Sequence, residues 1–137
     1  MQSLRKRLAW CILMAAVALS CSDKKAAEPR PAGTPQEAAM QYYGELLQRR
    51  YDRFVAGMQS CDGKPADYRE QMVTLMKQHY EGQRKENGGI KSVNVQRVEP
   101  SRDGKSARVF LNVVYYKAES EEIVVQMVLA DGAWRMQ

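Results

Sequence analysis

The stretch KENGGIKSVNV, residues 85–95, marks the point at which the apolar pattern of the chain changes. Before it, apolar residues recur at the three- and four-residue spacing of a helix face. After it, they alternate with polar residues as in a strand. Between the two patterns, Asn87, Gly88 and Gly89 tolerate the left-handed backbone that ends helices. The sequence therefore predicts helices before residue 87 and strands after residue 89.

Two amphipathic helices are predicted before this stretch. Thr34, Pro35 and Glu37 form a capping-box pattern, which predicts a first helix over about residues 35–58. The turn-like SCDGKP ends it, and a second helix begins near Pro65. The apolar stripe of the first helix consists of Ala39, Tyr43, Leu46, Leu47, Tyr51, Phe54 and Met58. The stripe of the second consists of Tyr68, Met72, Leu75, Met76 and either His79 or Tyr80.

Alternating segments after residue 89 predict antiparallel strands. Asp103-Gly104 and Asp131-Gly132 favour tight hairpin turns between them. The residues predicted to share an inward face are Val93 and Val95, then Ala107, Val109, Leu111, Val113 and Tyr115, then Ile123, Val125, Met127 and Leu129. The predicted class is α+β, with two N-terminal helices packed on one face of a sheet of three to four strands.

The opposite face of this sheet is mixed rather than plainly polar. Its apolar members are Phe110, Val114, Tyr116, Val124 and Val128, among Arg108, Asn112, Glu122 and Gln126. A half-solvated sheet shows a cleaner alternation. Two interpretations stay open: this face forms a homodimer, or it is an ordinary mixed surface.

The N-terminus has the layout of a secretory signal. Arg5, Lys6 and Arg7 precede an apolar run over residues 8–19, and Ser20 and Cys21 follow. The run is too short for a membrane-spanning helix, which needs about 20 residues. Residues 1–20 are therefore predicted to be a signal peptide.

Residues 18–21, ALSC, resemble the lipobox of bacterial lipoproteins. The resemblance implies cleavage before Cys21, acylation of Cys21 and attachment to a lipid bilayer. Residues 21–35 would be the lipidated cysteine and a flexible tether, since they lack apolar periodicity and contain prolines. Ser22 resembles the signal for export to the outer membrane, on its periplasmic side or at the cell surface.

Cysteine and charge counts argue against an intramolecular disulfide and against nucleic-acid binding. Cys11 leaves with the signal and Cys21 carries lipid, so Cys61 has no partner for an intramolecular disulfide. Removing residues 1–20 takes away three of the 21 basic residues and none of the 16 acids, which leaves a net charge of +2. The remaining basic residues alternate with acids along the helices, which argues against nucleic-acid binding.

Residues 36–137 also resemble a known superfamily. The helix AAMQYYGELLQRRYDRF, the long strands and the closing DGAWRM are similar to small lipoproteins of the cystatin-like, nuclear-transport-factor-two-like superfamily. More narrowly, they resemble a lumazine-binding-like lipoprotein group. The resemblance implies a curved sheet wrapped around a long helix to form a cone, which often holds a small apolar or aromatic ligand. Some members are isomerases or dehydratases.

We therefore expect an envelope-anchored, non-catalytic module that binds a small ligand or a protein; the alternative is a small isomerase, dehydratase or hydrolase. The predicted pocket residues are Tyr43, Phe54, Met72, Met76, Tyr115 and Trp134. The acid–base candidates are Tyr43, Asp52, His79 and Tyr115, and none is assigned a catalytic role.

No cofactor or metal site is predicted. A single histidine excludes a zinc site of the HExxH type, and no phosphate-binding glycine loop is present. Asp62, Asp67 and Glu70 lack the spacing of a calcium loop.

Overall fold

A computed structural model describes residues 33–137 of the chain. The predicted signal peptide, the lipidated Cys21 and most of the tether lie outside the described residues. The helices are α1 (Pro35–Leu47), α2 (Tyr51–Ala56) and α3 (Ala66–Asn87), with a short 3₁₀ helix at Gln59–Cys61. The strands are β1 (Ile90–Pro100), β2 (Ser106–Tyr115), β3 (Glu121–Ala130) and β4 (Ala133–Met136).

Helix α1 begins with the predicted capping box. The Glu37 amide donates to Oγ1 of Thr34 at 3.3 Å, and the Thr34 amide donates to Oε2 of Glu37 at 3.2 Å. Helix α3 ends as predicted, because Gly88 follows it with a left-handed φ of 79°.

The prediction of one helix over residues 35–58 is wrong, because the chain breaks between α1 and α2. Arg49 has a left-handed φ of 60°. The Arg50 amide donates to the Glu45 carbonyl at 2.9 Å, and the Arg49 amide donates to the Leu46 carbonyl at 2.9 Å. These two bonds form a Schellman motif, which satisfies the last carbonyls of α1. The buried Glu45 carboxylate also pairs with Arg50 and lies 3.9 Å from Arg53, so it holds α2 against the end of α1.

The four strands form one antiparallel sheet in the order β1-β2-β3-β4, at the upper end of the predicted number. Its register pairs Val93 with Val113 and Val109 with Val125, so the predicted inward residues share a face. The prediction is wrong for the burial of Val95 and Leu129, which are exposed. A register shift between Val95 and Arg97 marks an irregularity of the bulge type in β1. Such bulges bend a strand and increase its twist, which helps to curve the sheet.

The core lies between α1 and the concave face of the sheet. Helix α1 contacts all four strands, and Ala38 and Ala39 are fully buried. These short side chains allow the helix to lie close to Val109, Leu111 and Met127, which are also fully buried.

Helix α3 lies outside this layer and packs mainly against α2. None of its residues is buried, and only Val73, Met76 and Tyr80 contact the core. The predicted apolar stripe is therefore partly wrong: Leu75 is 54% exposed and His79 is exposed. The ring of Tyr80 packs edge-on against Phe54 of α2 at 6.0 Å, a contact that turns this side of α3 inward. Within residues 33–137, no helix is long and apolar enough to cross a membrane.

The outer face of the sheet is partly covered by its own charged side chains. The guanidinium of Arg97 lies 3.6 Å from the ring centroid of Phe110, which is buried. Arg97 pairs with Glu122 at 3.3 Å, and Arg108 pairs with Glu99 at 2.5 Å. Val124 and Tyr116 remain exposed, at 53% and 65%. The homodimer through this face stays a prediction.

Candidate functional site

Two pockets lie along the inner side of α3, and Tyr80 is a wall of both. The aromatic pocket has a volume of about 240 Å³ and is lined by Tyr43, Phe54, Met58, Ser60, Met76, Tyr80, the segment 124–126, Met136 and Gln137. The cationic pocket has a volume of about 190 Å³ and is lined by Leu46, Leu47, Arg49, Tyr51, Tyr80, Gln83, Arg84, the segment 87–90 and Tyr116. The two pockets have Tyr80 in common, and this adjoining pair is called the groove below.

Three rings from three helices form the wall of the aromatic pocket. Tyr43 of α1 meets Phe54 of α2 edge-on, with centroids 5.4 Å apart and planes at 83°. Phe54 meets Tyr80 of α3 in the same manner, at 6.0 Å and 90°. Edge-to-face pairs of this kind add about 0.5–1.5 kcal/mol each beyond the area that they bury. The rings therefore give the groove a fixed aromatic side.

The phenols around this wall are held in the neutral form. Burial raises the pKa of the Tyr43 phenol, and the neighbouring phenols of Tyr80 and Tyr115 raise it further. Burial likewise raises the pKa of Tyr80. Burial and the hydrogen bond that its hydroxyl donates to the Glu121 carboxylate raise the pKa of Tyr115. All three phenols stay protonated at neutral pH. The Tyr115 hydroxyl already donates to Glu121, whereas the hydroxyls of Tyr43 and Tyr80 can still donate to a ligand.

The cationic pocket contains two arginines and no acid. The guanidinium of Arg49 donates to the Glu81 carboxylate at 3.1 Å, and the Tyr51 hydroxyl donates to the same carboxylate at 2.9 Å. The Tyr51 hydrogen bond lowers the pKa of Glu81, and the charges of Arg49, Arg84 and Lys77 lower it further. One carboxylate beside the pocket is thus surrounded by three cations.

The structure brings together part of the predicted pocket. Tyr43, Phe54 and Met76 line the aromatic pocket. Tyr115 lines neither pocket of the groove, although its phenol raises the pKa of Tyr43. Met72 and Trp134 line neither pocket of the groove. Trp134 is buried, and its backbone carbonyl accepts a hydrogen bond of 2.8 Å from the Tyr42 hydroxyl.

Sequence reasoning missed the polar half of the groove. Arg49 had no visible signal, because its position depends on a helix break that the apolar pattern does not mark. Arg84 is one of the basic residues that alternate with acids along the helices, a pattern that indicates no pocket. Tyr80 was placed on the α3 stripe, but not in the pocket.

The acid–base candidates do not converge. Asp52 and His79 are both exposed. Asp52 lines a third pocket, the side pocket, between α2 and α3. The Nε2 atom of His79 lies 3.2 Å from the side-chain amide nitrogen of Gln83. Neither residue lines the groove. Within residues 33–137, no cluster of three or more histidine, cysteine, aspartate or glutamate side chains could hold a metal ion.

The side pocket is the largest of the three, at about 680 Å³. Its lining includes the buried Cys61, and Arg135, which pairs with Asp62 at 2.5 Å. Charged residues of both signs, including Arg69 and Glu70, also line it. Its charges therefore favour no single class of ligand.

Comparison with known proteins shows the fold. No family model matches the chain, and no curated protein matches it. A crystal structure from Campylobacter jejuni, provisionally described as an NTF2-like transpeptidase, is similar with a TM-score of 0.60 and 14% identity. The match covers 74% of this chain and 95% of the other. The predicted α+β cone of the NTF2-like type is thereby confirmed.

Proposed function

We propose that this protein is a lipoprotein of the bacterial envelope whose NTF2-like domain binds a small apolar or aromatic ligand without transforming it. The anchor would be an acylated Cys21, and the site would be in the outer membrane, facing the periplasm or the cell surface. The narrower kinship to lumazine-binding-like lipoproteins is part of this proposal.

The observation that carries the binding proposal is the aromatic pocket. Tyr43, Phe54 and Tyr80 give it a wall of edge-packed rings, and Met58 and Met76 add adaptable thioether side chains. Ligand sites in proteins combine apolar walls with a few polar groups, and here the neutral phenols would be those groups. The small volume favours a ligand of about one or two rings.

The enzyme alternative rests on one contact. Tyr115 donates a hydrogen bond to Glu121, which resembles an acid–base pair, but neither residue lines the aromatic pocket. Glu121 is exposed, so burial does not tune it for proton transfer as catalytic carboxylates are tuned. We therefore favour binding over catalysis.

Thermal unfolding of the full-length chain with indole and naphthol tests the proposal. Binding to the native state raises the melting temperature as ligand is added. We expect Met76→Ala to weaken this shift, because it removes a pocket wall, whereas Leu75→Ala on the exposed side of α3 leaves it unchanged. Equal effects of the two variants would contradict this site. Conversion of the ligand during incubation would support the enzyme alternative instead.

A further inference from the structure

The two pockets of the groove differ in chemistry although they share a wall. Along α3, Met76 faces the aromatic pocket, Tyr80 faces both pockets, and Arg84 faces the cationic one. These residues are four positions apart, so they follow one side of the helix. A ligand lying along α3 would therefore meet an aromatic region at one end and guanidinium groups at the other.

The charges at the cationic end are not balanced. Arg49 and Arg84 are the charged residues that line this pocket, and no acid lines it. Glu81 beside it already accepts hydrogen bonds from Arg49 and Tyr51. Among residues 33–137, Arg84 has no carboxylate oxygen within 4.0 Å of its guanidinium. Both arginines are exposed, and the net positive charge of the lining favours an anion at this end.

Apolar side chains form part of the lining of the cationic pocket, beside its polar residues. Leu47 is 38% exposed and Tyr116 is 65% exposed at its rim, next to Leu46 and Ile90. A hydrated inorganic anion would gain no binding free energy from these apolar surfaces, because it has no apolar part to bury against them. An anion attached to an apolar body would cover them and would keep its charge at the guanidinium groups.

The backbone at Arg49 supports the same conclusion. A residue other than glycine in the left-handed region costs about 1 kcal/mol, and such residues are common at ligand sites. Glycine would form the same Schellman motif at a lower conformational cost. Arginine at this position gives the pocket a second guanidinium.

We infer that the ligand of the groove is an amphipathic carboxylate, with its apolar or aromatic body along Tyr80 in the aromatic pocket and its carboxylate between Arg49 and Arg84. This inference rests on the proposed binding function and adds the ligand class. A carboxylate fits because a guanidinium presents two parallel N–H donors to its two oxygens.

Calorimetric titration of the full-length chain with phenylbutyrate and its neutral amide tests the inference. The two probes have the same apolar body and differ only in charge. With its proposed lipid anchor, the protein is kept in detergent, so a titration into detergent micelles without protein gives the blank. We expect the acid to bind about tenfold more tightly than the amide, because of its charge-assisted hydrogen bonds. Arg84→Gln should lower the affinity of the acid to about that of the amide for the same variant. Arg69→Gln, an exposed arginine of the same helix outside the groove, is the matched control and should change neither affinity.

The outcomes separate the two proposals. If acid and amide bind equally in the wild type, the carboxylate inference fails while the binding function stands. If Arg69→Gln weakens the acid as much as Arg84→Gln does, the anion binds elsewhere and the inference fails. If inorganic phosphate displaces phenylbutyrate at equal concentration, the apolar body contributes nothing and the inference fails. If neither probe binds, the carboxylate inference fails, and the thermal shifts with indole and naphthol decide the binding function separately.

Discussion

Gly57 is the residue at which a single methyl group would disturb the core. A Cβ at this position would lie within 2.7 Å of three atoms of the Tyr42 ring. That ring has little freedom to move, because Tyr42 is buried and its hydroxyl donates to the Trp134 carbonyl at 2.8 Å. The Met136 amide also donates to the Gly57 carbonyl at 2.8 Å, which ties the backbone to β4. Glycine is required here because the Tyr42 ring lies against the backbone, not because of the φ of −78°, which any residue can adopt.

We predict opposite effects for two glycine-to-alanine changes. Gly57→Ala should lower the free energy of unfolding by about 1–3 kcal/mol, because it overpacks the core. Gly44→Ala should raise it by about 0.5–1 kcal/mol, because Gly44 lies inside α1 with open space around its Cβ. Urea unfolding of both variants measures the two values. An unchanged midpoint for Gly57→Ala would mean that Tyr42 moves aside without cost.

The buried phenols predict a loss of stability in alkali. A tyrosine titrates at pH 10.0 in the unfolded chain, and the folded-state pKa of Tyr43 lies above that value because of burial. Its contribution to stability is therefore complete below pH 10.0 and is lost as the pH rises toward the folded-state pKa. We expect the free energy of unfolding to fall with pH above 10.0, and Tyr43→Phe to reduce that slope by up to about 1.4 kcal/mol per pH unit. Parallel stability curves for wild type and variant would contradict the prediction.

Single residues differ in how much the sequence alone tells about them. The capping box at Thr34 was predictable because both of its hydrogen bonds are local. The left-handed Arg49 was not, because no glycine or asparagine marks it and its guanidinium pairs with Glu81, 32 residues further along the chain. Local signals predict local bonds, whereas a contact between distant residues needs the tertiary structure.

The helical elements show the same limit. The apolar stripe continues from Leu46 through Tyr51 and Phe54, so the pattern alone predicts one helix where the chain forms two. Both helices bury their stripes against the same core, which is why the break leaves the pattern intact. The strands were predicted more closely, because alternation gives the inward face of each strand directly.

Helix α3 is the element that we expect to open most readily. It has 22 residues and none is buried, whereas α1 has buried residues along its length. Segments with few buried apolar contacts unfold locally at low free energy. We predict that amide hydrogen exchange in α3 is protected at least about tenfold less than in α1. Equal protection of the two helices would show that α3 opens only with the whole domain.

At the scale of the whole molecule, the sequence predicts the layers but not the groove between them. The change of period at residues 87–89 is enough to predict helices on an antiparallel sheet, and the NTF2-like fold confirms it. The groove depends on the rotation of α3 about its axis, which exposes Leu75 and turns Tyr80 inward. Apolar residues occupy both sides of α3, so periodicity cannot choose between these two rotations.

The proposed anchor makes the last prediction, that Cys21→Ala releases the protein from membranes. Stable attachment needs two or more acyl chains, and all of them depend on Cys21 in the lipobox interpretation. The variant should lose labelling by fatty acid and move to the supernatant after ultracentrifugation of lysed cells. Cys61→Ala is the matched control: it removes a thiol that is buried in the folded domain, so it should keep both the label and the membrane fraction. If Cys21→Ala is still labelled and still sediments, another residue carries the lipid and Cys21 is not the membrane anchor.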